Sequence, residues 1–305
     1  MRLARFGDSR ATLRARNAPA RFSDDGALTG DVGGRDRRVV CYKRPMQRRI
    51  STPERDEART EPVDLVYGLR AGLAVFALRP ADIVRVACSR AVRHETADLS
   101  RWAAARGVPI TERSDADLAL LAEADQHEGL VMQVKPRAWA SPRDLAARLV
   151  SRRGVAIALD RVRNPYNTGA ILRSAAFFGA EAAILGAQAP HPALSPQAVR
   201  VAEGGAEHLT IARTTDLAET LALVRASGVR VVGADGTAEL DARDAKLRGP
   251  IVVVLGNERE GLSLRVRSQC DQLIALRGAG AVESLNVAVA AGVLIAEVLR
   301  SKKSG

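Results

Sequence analysis

The sequence predicts an α/β protein: a parallel sheet covered by helices on both faces, preceded by a smaller α/β domain. Two observations predict the large sheet. Six short apolar runs recur through the second half: VAIAL (155–159), AAILG (182–186), HLTIA (208–212), VRVVG (229–233), IVVVL (251–255) and QLIAL (272–276). Helical segments separate most of them: TGAILRSAAFFG, PQAVRVAEGG, DLAETLALVRASG and LSLRVRSQ, with SLNVAVAAGVLIAEVLR at the end. Runs that are apolar throughout, without alternation, are what strands buried on both faces require. A third observation, the mixed pattern from 61 to 138, predicts the small domain.

The elements follow in order. Residues 1–60 hold no sustained apolar periodicity and are expected to form a basic, disordered arm. In the small domain (61–138), DLVYGLRAGLAVFAL starts at Asp64. Leu65, Leu69, Leu73 and Phe76 form a helical stripe that Pro80 ends. IVRVACS (83–89) reads as a strand, and DLSRWAAARG (98–107) as a helix capped by Gly107. VPIT is a short strand, DADLALLAEA a helix and GLVMQV (129–134) a strand. Residues 139–154 form a linker helix, and 155–301 carry the large sheet.

Charge and cysteine usage narrow the function classes. The net charge is +11, and residues 1–50, with 13 Arg/Lys against 5 Asp/Glu, supply +8 of it. A polyanionic partner is expected, nucleic acid or an acidic membrane face. Cys41, Cys88 and Cys270 are far apart and show no metal-ligand or disulfide spacing, so no metal is expected. No apolar run is long enough for a membrane span, and the basic N-terminus lacks a signal-peptide core. The expectation is a soluble cytoplasmic protein.

Ligands of parallel sheets sit beyond the carboxyl ends of the strands. Three loops there are rich in Gly, Asn, Glu and Ser: DRVRNPYNTGAILR after 159, GNEREGLS after 255 and RGAGAVESLNVAVA after 276. The last begins as a dinucleotide fingerprint does, but Glu283 replaces the third glycine and no further strand follows. That argues against a nucleotide-dependent oxidoreductase.

In order and spacing, N-P-Y-N-T-G-A-I-L-R (164–173), L-G-N-E-R-E-G-L-S (255–263) and V-E-S-L-N-V-A-V-A (282–290) resemble the three motifs of the SpoU/TrmH family of RNA methyltransferases, in the SPOUT class. Residues 63–134, with H-E-G at 127–129, are similar to that family's small RNA-binding domain. The resemblance implies a trefoil knot in the C-terminal domain, a homodimer, and methyl transfer from S-adenosyl-L-methionine to a ribose 2′-hydroxyl of tRNA or rRNA. It assigns catalysis to Asn167, Arg173, Glu258, Ser284 and Asn286. It assigns cofactor binding to Leu255, Gly256, Asn257, Leu276, Gly280 and Leu285. An RNA-binding protein of the same fold with little activity is the alternative, and one departure favours it: Arg277-Gly278 stands where the family usually has Pro-Met. Ala288 stands where Ser is common.

Each site residue also has a simpler role. Asn167 and Ser284 would serve as helix caps. Asn286, two residues into the expected last helix, is poorly explained that way. Glu258 fits a general base or a tie for loop N–H groups, and the second is preferred. Arg173 suits an RNA phosphate or a developing alkoxide better than a base, because its pKa lies above about 12. His127 is assigned to structure or RNA contact.

The arm should supply affinity rather than specificity, since phosphate contacts release counterions and carry little sequence information. Deleting residues 1–50 should weaken RNA binding and flatten its salt dependence while leaving the methylated position unchanged. An unchanged salt slope in binding titrations would make the arm a passenger.

Overall fold

The apolar runs of the second half form one six-stranded sheet in a computed structural model of the chain. Its strands are β5 (Val155–Leu159), β6 (Ala182–Gly186), β7 (Thr210–Thr214), β8 (Arg230–Ala234), β9 (Ile251–Leu255) and β10 (Gln272–Ile274), ordered β10-β8-β9-β5-β6-β7 and parallel throughout. A separate four-stranded sheet precedes it: β1 (Asp64–Tyr67), β2 (Ile83–Cys88), β3 (Ile110–Glu112) and β4 (Leu130–Val134), ordered β1-β4-β2-β3. The structure describes residues 62–186, 194–280 and 284–303, all within a single compact unit. The expected arm lies outside the described residues, as do residues 281–283 of the last loop.

Alternation along each strand sorts its side chains onto two faces. Ile157, Leu159, Val253 and Leu255 pack with Ile171 and Leu172 of α5 (Pro165–Phe178) and with Leu294 and Ile295 of α9 (Val287–Lys303). Ala156, Ala158, Val252 and Val254 face the opposite layer. There they meet Leu145 and Leu149 of α4 (Pro142–Arg152), Leu221 of α7 (Leu217–Ala226) and Val266 of α8 (Leu264–Arg267). Both faces are covered, as apolar runs demand.

The expected helix over 64–78 is corrected. Asp64–Tyr67 is a strand, and the helix α1 spans Leu69–Leu78. Val66 and Tyr67 are buried in different apolar clusters, so this short stretch obeys a period of two. Gly68, at φ 101°, makes the break between strand and helix. Other boundaries shift too: the helix expected from Thr168 opens at Pro165, the helix expected over 196–205 stops at Val201, and the strand expected at 272–276 stops at Ile274. The strand expected at 208–212 runs from 210 to 214, the helix expected over 262–269 shrinks to α8, and α9 starts at Val287, not Ser284. Helix α2 (Ala97–Arg106) ends at Gly107 as expected. Helix α3 spans Asp115–Ala122 and α6 Pro196–Val201. No helix among the described residues is long and apolar enough to cross a membrane.

A charged clamp joins the two sheets. Glu207 follows α6, and its side chain is only 2% exposed. Arg79 Nε donates to one carboxylate oxygen at 2.9 Å and Arg137 Nη2 to the other at 2.6 Å. Arg137 Nη1 also reaches Ala206 O at 3.0 Å. Tyr67 Oη donates to Gln197 of α6 at 2.8 Å. Removing one partner of such a buried pair strands the others without compensation. Glu207→Ala should cost about 3–5 kcal/mol, read as a lower urea midpoint, whereas an unchanged midpoint would deny the clamp its role.

Candidate active site

The site assembles where β5, β8, β9 and β10 end. After β5, the cap of α5 is Asn164, whose side chain accepts from Tyr166 N at 2.9 Å. Asn167 is therefore relieved of capping, and its amide works at both ends. Its Nδ2 donates to Glu258, and its Oδ1 accepts from Asn286 Nδ2 at 3.1 Å. One residue from each expected motif thus joins a single hydrogen-bonded chain, Glu258–Asn167–Asn286.

Asn286 turns out to be the cap of α9. Its Oδ1 accepts from Ala288 N at 2.8 Å and Val289 N at 3.4 Å, which the later helix start makes possible. Capping and bridging are done by opposite ends of one amide. Ser284 is not the cap; it is exposed and lines the cleft described next.

The tie within the second loop is Asn257, not Glu258. Asn257 and Gly261 exchange two backbone hydrogen bonds, 3.1 and 2.9 Å. Asn257 Oδ1 accepts from Arg259 N at 3.0 Å and Glu260 N at 3.3 Å. A Cβ on Gly256 would lie 2.2 Å from the carbonyl carbon of Gly261, so this loop closes only with glycine there.

A cleft of about 470 Å³ opens between these loops. Leu255, Ile274, Leu276 and Leu294 give it an apolar lining, and Gly256, Asn257, Glu258, Ser284 and Leu285 border it. Gly280, at φ 85°, is not part of its lining. Sequence reasoning missed Asp235, Gly236, Thr237 and Arg267, which also line it. The signal was present: D-G-T follows β8 as the other loops follow their strands. Burial works against the Asp235 charge, but hydrogen bonds from Thr237 and the nearby Arg267 guanidinium hold its carboxyl below the usual range. A second cavity, about 530 Å³, lies over the ends of β5, β6 and β7, where Asp216 and Arg265 pair at 2.8 Å.

Arg173 stands apart. Its Nη1 pairs with Glu203 at 2.8 Å, and among the described residues no hydrogen bond links it to Asn167, Glu258 or Asn286. His127 is buried, and its Nδ1 accepts from Gly129 N at 3.1 Å, a structural role. Burial pushes the Cys270 thiol up to about 11 and raises Cys88 too, so neither suits nucleophilic work. Cys41 lies outside the described residues.

A doubly covered parallel sheet with a polar-rimmed cleft at its carboxyl edge defines an α/β enzyme that binds its ligand at the strand ends. Comparison with known proteins gives the family. Residues 154–296 match the SpoU rRNA Methylase family, and residues 65–140 match the model for RNA 2′-O ribose methyltransferase substrate binding. A protein of Mycobacterium avium (strain 104) described as an uncharacterized tRNA/rRNA methyltransferase is 36% identical over 265 residues, covering 84% of each chain. The SpoU methyltransferase AviRb from Streptomyces viridochromogenes, solved in complex with the cofactor AdoMet, is 26% identical with a TM-score of 0.66, covering 79% of this chain and 91% of that one. An AdoMet-bound rRNA methyltransferase from Sinorhizobium meliloti has the same identity and TM-score, covering 78% and 87%. The chain belongs to the SpoU family of RNA methyltransferases.

The double duty of Asn286 is testable. Asn286→Ala should cost about 1–2 kcal/mol through the lost cap and the lost amide bond. Asn286→Asp keeps a capping acceptor and should retain most of that. Equal melting temperatures for the two variants would show that the cap contributes nothing.

Proposed function

We propose that this protein transfers a methyl group from S-adenosylmethionine to a ribose 2′-hydroxyl of tRNA or rRNA. The observation that carries this reading is the Glu258–Asn167–Asn286 chain beside the cleft. The cleft fits the cofactor in size, in its apolar lining and in its two carboxylates, Asp235 and Glu258, suited to a sulfonium. Gly256 lets the backbone come close. When bound, S-adenosylmethionine supplies an already activated methyl group.

The chain's own residues then orient the hydroxyl and take its proton. With Asn257 tying the loop, Glu258 is exposed and steadied by the Asn167 amide, which suits it to accept that proton. Arg173 suits an RNA phosphate or the developing alkoxide. Residues 61–138 form the RNA-holding domain in this reading and 155–301 the transfer domain, working in the cytoplasm.

A homodimer completes the site. Tyr166, Arg173 and Phe177 are spaced 7 and 4 residues apart, so they share one face of α5. Tyr166 and Phe177 are exposed, as are Val289 and Val293 on the neighbouring α9. An apolar face flanking a catalytic arginine suits a contact that carries Arg173 to the partner's cleft. The knot belongs to the same proposal. Ala275 exchanges hydrogen bonds with Leu240 and Ala242, and Arg277 Nη2 donates to Ala238 O and Glu239 O at 3.1 and 2.8 Å. These bonds lay the stretch before the last helix against the long β8–β9 connection. They also tie down the Arg277-Gly278 departure, which supports a working cofactor loop over an inactive RNA binder.

Arg173→Ala should lower single-turnover methyl transfer about a hundredfold to a thousandfold while calorimetry shows unchanged S-adenosylmethionine binding. Arg173→Lys should rescue poorly, because a point charge does not replace a planar fork. Transfer at the wild-type rate by Arg173→Ala would remove Arg173 from the mechanism.

A further inference from the structure

We infer that Arg161 is a positioning residue that braces the G-N-E-R-E-G loop from behind and thereby sets the affinity of the cleft for S-adenosylmethionine. This rests on the cofactor reading above. The loop has two sides. Residues 256–262 line the cofactor cleft, and Glu260 and Leu262 also border the second cavity. Arg161 lines that second cavity and not the cleft, so it meets the loop on the side away from the cofactor.

Four bonds hold the loop from two consecutive residues. The Arg161 carbonyl accepts from Asn257 Nδ2 at 3.1 Å, Nη1 pairs with Glu260, and Nη2 donates to Gly261 O at 3.2 Å. Asp160, buried beside it, accepts from Ser263 N at 2.6 Å and lies 3.4 Å from Arg161 Nε. The first bond orients the Asn257 amide whose other end collects the Arg259 and Glu260 N–H groups. It is made by the backbone carbonyl and survives any side-chain change, so of the loop's bonds a substitution removes only those of the guanidinium to Glu260 and Gly261.

Two features separate this from an ordinary surface arginine. Arg161 has φ 61°, a backbone region that side chains other than glycine's seldom adopt. Glycine would fit it more easily, and unlike Arg153, which ends a helix at φ 49°, Arg161 ends none; what a glycine would lack is the pair of guanidinium bonds to Glu260 and Gly261. Its charge is already matched by Asp160 and Glu260, and its side chain is only 21% exposed. It is therefore suited to hold the loop, and poorly suited to hold an RNA phosphate.

The test measures S-adenosylmethionine affinity by calorimetry on the full chain, with KM and kcat in parallel. Losing a charge-assisted fork should raise Kd about tenfold to a hundredfold in Arg161→Ala. Arg161→Gly, which relieves the left-handed backbone, should still lose most of that affinity. Arg161→Lys should recover part, since an ammonium can pair with Glu260 without also reaching Gly261 O. Glu260→Gln, at an exposed position, should weaken binding severalfold without unfolding the chain. Glu258 keeps its own bond to Asn167, so most of the rate should return at saturating cofactor, and KM should move much more than kcat. Faster amide exchange over 256–263 in Arg161→Gly, without cofactor, is the matching structural sign. Wild-type affinity in both Arg161→Gly and Glu260→Gln would overturn the inference while leaving the cofactor reading intact. Absence of binding by the unaltered protein would overturn both.

Discussion

Every strand of the large sheet points the same way, and most of the site follows from that constraint. Parallel strands need long crossover connections, so the six carboxyl ends share one edge and each is followed by a loop that must turn into the next connection. Four of these loops, after β5, β8, β9 and β10, come together because β9 and β8 are inserted beside β5. Residues 167, 235, 257 and 286 are far apart in the chain, yet they meet in one small region. No local propensity brings them there.

Small amides do much of the work within that region. Asn164 caps one helix, Asn286 caps another and reaches Asn167, Asn167 reaches Glu258, and Asn257 ties its own loop. Each carries a donor and an acceptor on one short side chain, so each can satisfy a backbone group and a neighbour at once. The carboxylate of Glu258 is thereby held by a neutral amide. The second rank of contacts, from Asp160 and Arg161, holds the loop that presents it.

Much of this was legible in the sequence, for physical reasons that vary by element. The four inner strands announced themselves because burial on both faces demands unbroken apolar runs; the edge strands β7 and β10 are only partly buried, and their bounds were less sharply marked. The first strand, β1, did not announce itself. Asp64–Tyr67 is four residues long and runs straight into a helix, so a helical stripe drawn through Leu65 fitted as well as alternation did. The start of the last helix was missed because Asn286 was read as lying inside it, when a side chain reaching forward to Ala288 N requires it outside. Asn167 was expected as the cap because the helix was expected to open at Thr168; it opens at Pro165, so Asn164 bonds the first turn and Asn167 lies within it. Asp235 and Arg161 escaped notice because neither belongs to a motif: one is seen only in the lining of the cleft, the other only through a left-handed backbone angle.

The central claim is chemical, the position of the transferred methyl group, and it is tested most directly on the product. Bacterial rRNA and unfractionated tRNA lacking the modification would be incubated with the full chain and isotopically labelled S-adenosylmethionine, digested to nucleosides and separated by mass. The account predicts label in a ribose-methylated nucleoside, lost on the sugar fragment when the glycosidic bond is broken. Label retained on a base would contradict it.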